Sequence, residues 1–386
     1  MKFRLNYRLI LAIIVLGTSA ILQIGGELRP SFLRPGLHLY AYVGNTGDGT
    51  LSVLDLVRLS TVATIFVGSG PTGIRAHPTR KEIWGLSTSG GYAWVLDVRT
   101  NQVIARIPVG AAPYALDFSP DGARAYVAAS GSNSVVAIDC ASRLMVARGR
   151  AGRRPWIARV TPDGKLVLVS NRDDATISVL AADSLAPIAT IHVAPEPEQI
   201  SILPDSSKAF ITSGATNEIS VVDLKEDVLL TNLNLGGNPS GLVLKPDGGE
   251  LYIPSASAHG LIIVNTQTNE VGNFLLLGMS PEFATISADS QTLWVTDAGA
   301  NHVVRVAIQS RQIIPPGPIA VGQSPEICGL SPGEDLLLVV DSGSNDVAMI
   351  RTRTLPATSG MRSPPQSPIT MVGVGSRPHD LAFKVF

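Results

Sequence analysis

A short Gly/Ser/Arg-rich stretch ending in proline recurs through this 386-residue chain, at Pro71, Pro113, Pro155, Pro197, Pro239, Pro281, Pro325 and Pro378, and the first five intervals are each 42 residues. A repeat of about 40–45 residues, filled with short β-rich runs and turn signals, is the length one four-stranded sheet and its turns occupy in a β-propeller. The second unit displays four such runs: PYALDFSPDG from Pro113, ARAYVAASGSNS from Ala123, VVAIDCASR from Val135 and LMVARGRAG from Leu144. Alternating or wholly apolar runs of this length between Gly/Asn/Asp/Ser clusters read as strands, and no segment combines helical periodicity with caps. The spacing predicts an all-β, eight-bladed propeller of four-stranded antiparallel blades. Seven blades is the alternative if one unit is degenerate.

With the strands of a blade lettered a to d outward from the axis, strand a starts at the proline. The turn from a to b is written PDG at Pro120–Gly122, Pro162–Gly164 and Pro246–Gly248. Proline presets φ, aspartate bonds back to the chain and glycine accepts a positive φ, so each residue suits a tight turn for its own reason. The aspartates that end strand c, in SVLD at Ser52, WVLD at Trp94 and SVVD at Ser220, read as caps of the c-to-d turn.

The repeat begins in phase with strand b, at YAYVGN, and finishes on an isolated strand a, RPHDLAFKVF. The C-terminal strand is therefore expected to complete the first blade, which removes the sheet edges an open array would expose. The last interval is longer, and its surplus, RTRTLPATSGMRSPPQSP from Arg351, reads as a loop between strands c and d. Residues 40–386 are then a single propeller domain, preceded by a linker at 25–39.

Residues 1–24 have a different character. Lys2, Arg4 and Arg8 precede an apolar run from Leu9 to Leu16 and the small residues Thr18, Ser19 and Ala20. That order describes a secretory signal peptide cut after Ala20, and an uncleaved N-terminal membrane anchor is the competing reading. Either way the body of the protein is expected outside the cytoplasm, periplasmic, at the cell surface or secreted. A formal net charge of −1 gives no field to gather nucleic acid. The two cysteines, Cys140 and Cys328, lie at different places in different repeats, so two free, buried thiols are expected rather than a bridge.

The stretch YVGNTGDGTLSVLDLVRLSTVATIFVGSGPTGIRAHP resembles the YVTN β-propeller repeat of secreted and surface-associated prokaryotic proteins, and the match runs from about Tyr40 to Phe386. The resemblance implies the propeller fold. Its functional implication is broad, since the group extends to relatives of the lactonase propellers and of the haem d1 domain of nitrite reductases. WD-type propellers share the period, but their Gly-His and Trp-Asp pairs are missing here.

Self-sufficient catalytic motifs are absent: there is no HExxH, CxxCH, Walker loop or GxSxG. GSGPTG at Gly68–Gly73 satisfies the dinucleotide fingerprint by letter, yet it is one of eight equivalent d-to-a connections leading into a strand, not into a helix. Geometry is more informative. The residues just after each proline form a ring at the mouth of the central channel: Thr72, Tyr114, Trp156, Glu198, Ser240, Glu282, Glu326 and His379. Arg153, Arg154, Glu196 and Arg377 stand just before the prolines. Aromatic area with a few convergent charges is what a small-ligand or peptide site needs.

The candidate ligand-binding residues are accordingly Tyr114, Trp156, Glu198, Glu282, Glu326, His379, Arg154 and Arg377. No catalytic residue is assigned, and the partner expected is an unspecified small molecule or protein. Arg148, Arg150, Arg153, Arg154 and Arg159 are expected to spend part of their charge on Glu196 and Glu198 of the next blade. His259, His302 and His379 come from the mouth face but at different radial positions, so no metal site is expected. A haem d1 site would call on His379 with Arg377, Arg153 and Arg154, but the usual haem c donor motif is missing and no cofactor is expected. The function read from this is an extracytoplasmic binding module, with a lactonase-like hydrolase, using Glu282 or Glu326 with His379, and a structural cell-surface role as alternatives. The enzyme reading is the weaker one.

Overall fold

A computed structural model describes residues 38–315, 317–352 and 368–386. The signal or anchor segment, nearly all of the linker and most of the Pro/Ser-rich stretch after Arg351 lie outside the described residues. The described chain folds into eight antiparallel sheets, which excludes the seven-bladed alternative. Blade 1 is built from Leu39–Asn45, Thr50–Asp55 and Ser60–Phe66, with Pro378–Val385 as its innermost strand. Blades 2 to 8 follow in chain order, their strands a beginning at Pro71, Pro113, Pro155, Pro197, Val243, Pro281 and Pro325. Among the described residues no helix is long and apolar enough to cross a membrane.

Closure follows the expected plan. The last strand pairs with the first from Leu39↔Val385 to Asn45↔Pro378. Beyond that ladder His38 and Phe386 exchange backbone hydrogen bonds of 3.0 and 3.1 Å, and their rings stack at 5.2 Å. No free strand edge remains at the junction of the two ends.

Burial explains the sequence pattern strand by strand. Strands b and c are packed on both faces, as in Glu82–Ser87, and read as continuous apolar runs. Strand d alternates between half-buried and exposed, as in Gln102–Pro108, because it is the outer rim. The core is divided into eight apolar clusters, each between neighbouring blades: Trp84, Leu86, Leu116 and Val127 join blades 2 and 3, and Leu39, Leu54, Leu338 and Met349 join blades 1 and 8. Each large apolar side chain buried there contributes roughly 1.5–3 kcal/mol. Cys140 and Cys328 belong to two different clusters and are free and buried; burial pushes the Cys140 thiol up to about 12.

Turn chemistry is as the residues imply. Asp121 accepts the Ser119 hydroxyl at 2.6 Å and the Ala123 amide at 2.9 Å, and Asp163 repeats the arrangement with Thr161 and Lys165. At the c-to-d turns Asp55 accepts the amides of Val57 and Arg58, and Asp223 those of Lys225 and Glu226.

Blades 6 and 7 depart from expectation. In blade 6 strand a is only Val243–Leu244 and starts four residues after Pro239, not at it. In blades 4, 5 and 7 a hydroxyl on strand b, Ser170, Thr212 or Thr296, accepts the amide two residues after the proline. Pro254 holds that place in blade 6, with neither hydroxyl nor N–H to offer; its carbonyl accepts the Ser240 amide at 2.9 Å, but the regular ladder begins only at Val243. In blade 7 the outer strand is split into Gln312–Ile313 and Ile319–Ala320, around a proline-rich stretch that cannot donate to a ladder.

Candidate functional site

The d-to-a and b-to-c connections share one face, and they are joined there residue by residue. The residue before the proline adopts a left-handed conformation at Arg154, Glu196, Ser324 and Arg377, with φ near +50°. Its carbonyl then accepts an amide from the b-to-c turn: Arg172 for Arg154, Gly214 for Glu196, Ser342 for Ser324 and Thr46 for Arg377, at 2.8–3.1 Å. Asn133, Asn301 and Asn345 side chains cap the amides of Arg154, Ser324 and Arg377. A strained backbone fixed from both sides is a rigid platform for the ring residues that follow it.

On one arc, in blades 3 to 5, Tyr114 and Trp156 stack with ring centroids 3.6 Å apart. The Arg172 guanidinium lies 5.0 Å from the Trp156 ring centroid and Arg154 lies 5.6 Å from it. Arg172 also reaches Glu198 at 2.8 Å and Glu196 at 2.9 Å. Stacking and cation–π contacts of this kind are worth about 0.5–2 kcal/mol each. Burial, with the charge of Glu198 beside it, pushes the Tyr114 phenol above its ordinary range.

The expected pairing of Glu196 and Glu198 with Arg148, Arg150, Arg153, Arg154 and Arg159 is corrected: the partner is another arginine of blade 4. Arg153 bonds Asp174, Arg154 bonds Asp173 at 3.4 Å, and Arg172 takes both glutamates. Arg159 reaches neither glutamate within ion-pair distance.

On the opposite arc, Glu326 of blade 8 and His379 of blade 1 meet at 2.7 Å through Nδ1 of the imidazole. The Ser342 hydroxyl donates to the other carboxylate oxygen of Glu326 at 2.7 Å. Burial raises the Glu326 carboxyl, but the bonds from His379 and Ser342 outweigh it and hold it below its ordinary value. The Glu326 carboxylate holds the His379 imidazole above its own. His379 Nε2 has no partner among the described residues. In blade 7, Glu282 accepts the Ser280 hydroxyl at 2.9 Å, and burial, reinforced by the charge of Glu326, pushes its carboxyl up.

The structure thus gathers the eight candidates into two groups and leaves one apart. Tyr114, Trp156, Arg154 and Glu198 meet around Arg172; Glu326 and His379 meet, with Glu282 electrostatically coupled to them; Arg377 is exposed, and its side chain joins neither group. Arg172 and Ser342 were missed from sequence although a signal existed. Both are the first residue after strand b, and reading that position round the repeat, Thr46, Thr88, Ser130, Arg172, Gly214, Ala256, Ala298 and Ser342, gives a second ring on the same face.

Among the described residues there is no group of three or more His, Cys, Asp or Glu side chains that could hold a metal ion. A cavity of about 330 Å³ opens on the other face, between the a-to-b turns of blades 3 and 4, but its Asp121 and Asp163 carboxylates are tied into their own turns.

A family model of the Choice-of-anchor I domain matches residues 80–238. Among solved structures the chain is similar to dihydro-heme d1 dehydrogenase NirN in complex with DHE, at 17% identity and a TM-score of 0.70, over 89% of this chain and 74% of that one. It is also similar to Kuenenia stuttgartiensis hydrazine synthase, at 19% identity and a TM-score of 0.59, over 73% of this chain and 96% of that one. No curated protein matches in sequence. At these identities the likeness shows the fold alone, and on that ground the chain is a β-propeller of the architecture it shares with these two structures.

Proposed function

We propose that the protein is an extracytoplasmic binding module whose channel mouth takes up a small molecule or a segment of a partner protein. The observation that carries this reading is the pair of preorganised clusters facing each other across the mouth, a tryptophan-centred one on blades 3 to 5 and a carboxylate–imidazole one on blades 7, 8 and 1. An aromatic and cationic arc opposite an acidic one favours a ligand with an apolar body and a cationic or hydrogen-donating end. The location rests on the basic and apolar N-terminal residues and agrees with the match to a Choice-of-anchor domain.

Tryptophan emission provides the test. Of the four tryptophans, Trp84, Trp94 and Trp294 are buried and Trp156 alone is partly open. Compounds found by thermal shift should change the emission of the wild-type protein and leave that of Trp156→Phe unchanged. The double variant Trp156→Ala/Glu282→Ala should lose binding while keeping its thermal transition. Undiminished affinity in that variant would place the site elsewhere.

A hydrolytic reading is favoured by one observation, the Glu326–His379 pair with Nε2 unengaged. A carboxylate on Nδ1 fixes the tautomer and leaves Nε2 as the base toward a water or hydroxyl. Lactone hydrolysis by the wild-type protein that is lost in His379→Gln would support it; lactones untouched by the wild type would eliminate it.

A further inference from the structure

We propose a second binding site inside the channel, beneath the mouth, in which Arg159 and Arg75 hold the carboxylate or phosphate group of a small ligand. Both arginines lie four residues after their proline, on strands a of blades 4 and 2. Three residues beyond the mouth ring corresponds to about 10 Å along a strand. The same position carries Asp117 in blade 3, then Ser201, Val243, Thr285, Gly329 and Ala382 round the rest of the ring, so only one carboxylate stands at this level.

That carboxylate and its one neighbour are already engaged by the backbone. Asp117 Oδ2 accepts the Val160 amide at 3.1 Å. Asp380, from blade 1, accepts the Ile74 amide at 2.7 Å with Oδ2 and the Leu381 amide at 2.9 Å with Oδ1. The guanidinium groups are left undersatisfied. Arg75 donates to the Ile74 carbonyl at 3.1 Å and stands 3.9 Å from Asp380. Arg159 makes no hydrogen bond and no ion pair within 4 Å among the described residues.

A guanidinium offers five N–H donors, and those of Arg159 meet no protein acceptor among the described residues, so within the channel only water or a ligand can take them. Both arginines stand at one level of the channel on strands a, and burial together with the charge of Arg75 pushes the Arg159 guanidinium down from its ordinary value, against the opposing effect of Asp117 and Asp380. An oxyanion placed between the two would remove the repulsion and supply planar, bidentate acceptors, which is the geometry arginine recognises best. The site goes beyond the mouth clusters because it uses none of their side chains.

Nε–H resonances of the full-length protein labelled with ¹⁵N-arginine provide the test, the Arg159 signal being assigned by its loss in Arg159→Lys. Titration with inorganic phosphate and, separately, acetate should move that signal saturably with at least one of them, distinguishing a phosphate from a carboxylate ligand. Arg75→Gln should weaken the response at least tenfold, and Arg150→Gln, on an exposed outer strand, should leave it unchanged. A wild-type Arg159 signal that does not move, or moves without saturation, overturns the site whatever the variants do. A response abolished by Arg172→Ala assigns the anion to the mouth instead, overturning the inner site while leaving the mouth reading intact.

Discussion

Arg172 stands one residue past strand b of blade 4, yet it holds together residues from two blades: Trp156 by its ring, Glu196 and Glu198 by their carboxylates. Replacing it with alanine leaves two neighbouring carboxylates without their shared cation, and the expected cost is about 1–2 kcal/mol. Denaturant unfolding reads that loss, and Arg172→Lys should recover only part of it, since an ammonium cannot serve the ring and both carboxylates in the same way. Across the mouth, His379 should titrate above the ordinary histidine value and return toward it in Glu326→Gln, as followed by NMR. The sign follows from the two shifts. The raised His379 contributes stability that is present below the ordinary histidine value and lost as pH rises through its own. The lowered Glu326 contributes stability that is present above the ordinary carboxyl value and lost as pH falls through its own, so the pair is strongest between the two. Both side chains are more than one-third exposed, which keeps the effect on global stability small. At this scale the sequence was only partly legible. Which ring positions carry charge could be read directly, but which charges meet depends on the b-to-c turn of each blade, some sixteen residues further along.

Single elements differ where one strand position has changed. Asn45 and Asn171 end strand b in blades 1 and 4 and donate to a threonine and a serine on strand c. In blade 8 the same places hold Asp341 facing Asp346, both Asp341 oxygens buried without a conventional donor. Burial first, and then the carboxylate of Asp346, push Asp341 up to about 8. A folded-state value raised above the unfolded one gives stability that is full below about pH 4 and lost progressively as pH rises to about 8. Asp341→Asn, combined with Asp346→Thr to rebuild the Asn–Thr pair of blade 4, should remove that slope. Chemical denaturation at pH 5.5 and 8.5 should show its advantage over wild type widening by on the order of 3 kcal/mol between the two values. Equal slopes for the two proteins would contradict the pairing. Blade 6 shows why element boundaries were less legible than element existence: Pro254 is visible in the sequence, but its effect falls on strand a, across the ladder and about fifteen residues upstream.

The whole ring was legible because an interval held at 42 residues over five repeats, with a constant phase, leaves little freedom: eight in-phase prolines imply eight inner strands, and a final isolated strand a must return to the first blade. Closure should dominate global stability. Removing residues 377–386 deletes the ladder from Leu39↔Val385 to Asn45↔Pro378 and uncovers Leu39, Leu54 and Leu338 between blades 1 and 8. The truncated protein should melt at least 10 °C lower or aggregate on refolding, as read by circular dichroism, an effect of the size expected when several large side chains lose their packing, about 1.5–3 kcal/mol each. What the repeat could not reveal is function, because residues that make a blade fold are those the copies share, whereas the mouth is made of those they do not. The most direct test of the mouth as the working surface is hydrogen exchange of the full-length protein, read by mass spectrometry with and without a compound that raises its melting temperature. Protection should concentrate in peptides spanning 112–116, 153–157, 170–174, 280–283, 323–327 and 376–380. Protection confined to the a-to-b turns or to the outer strands d would contradict the account.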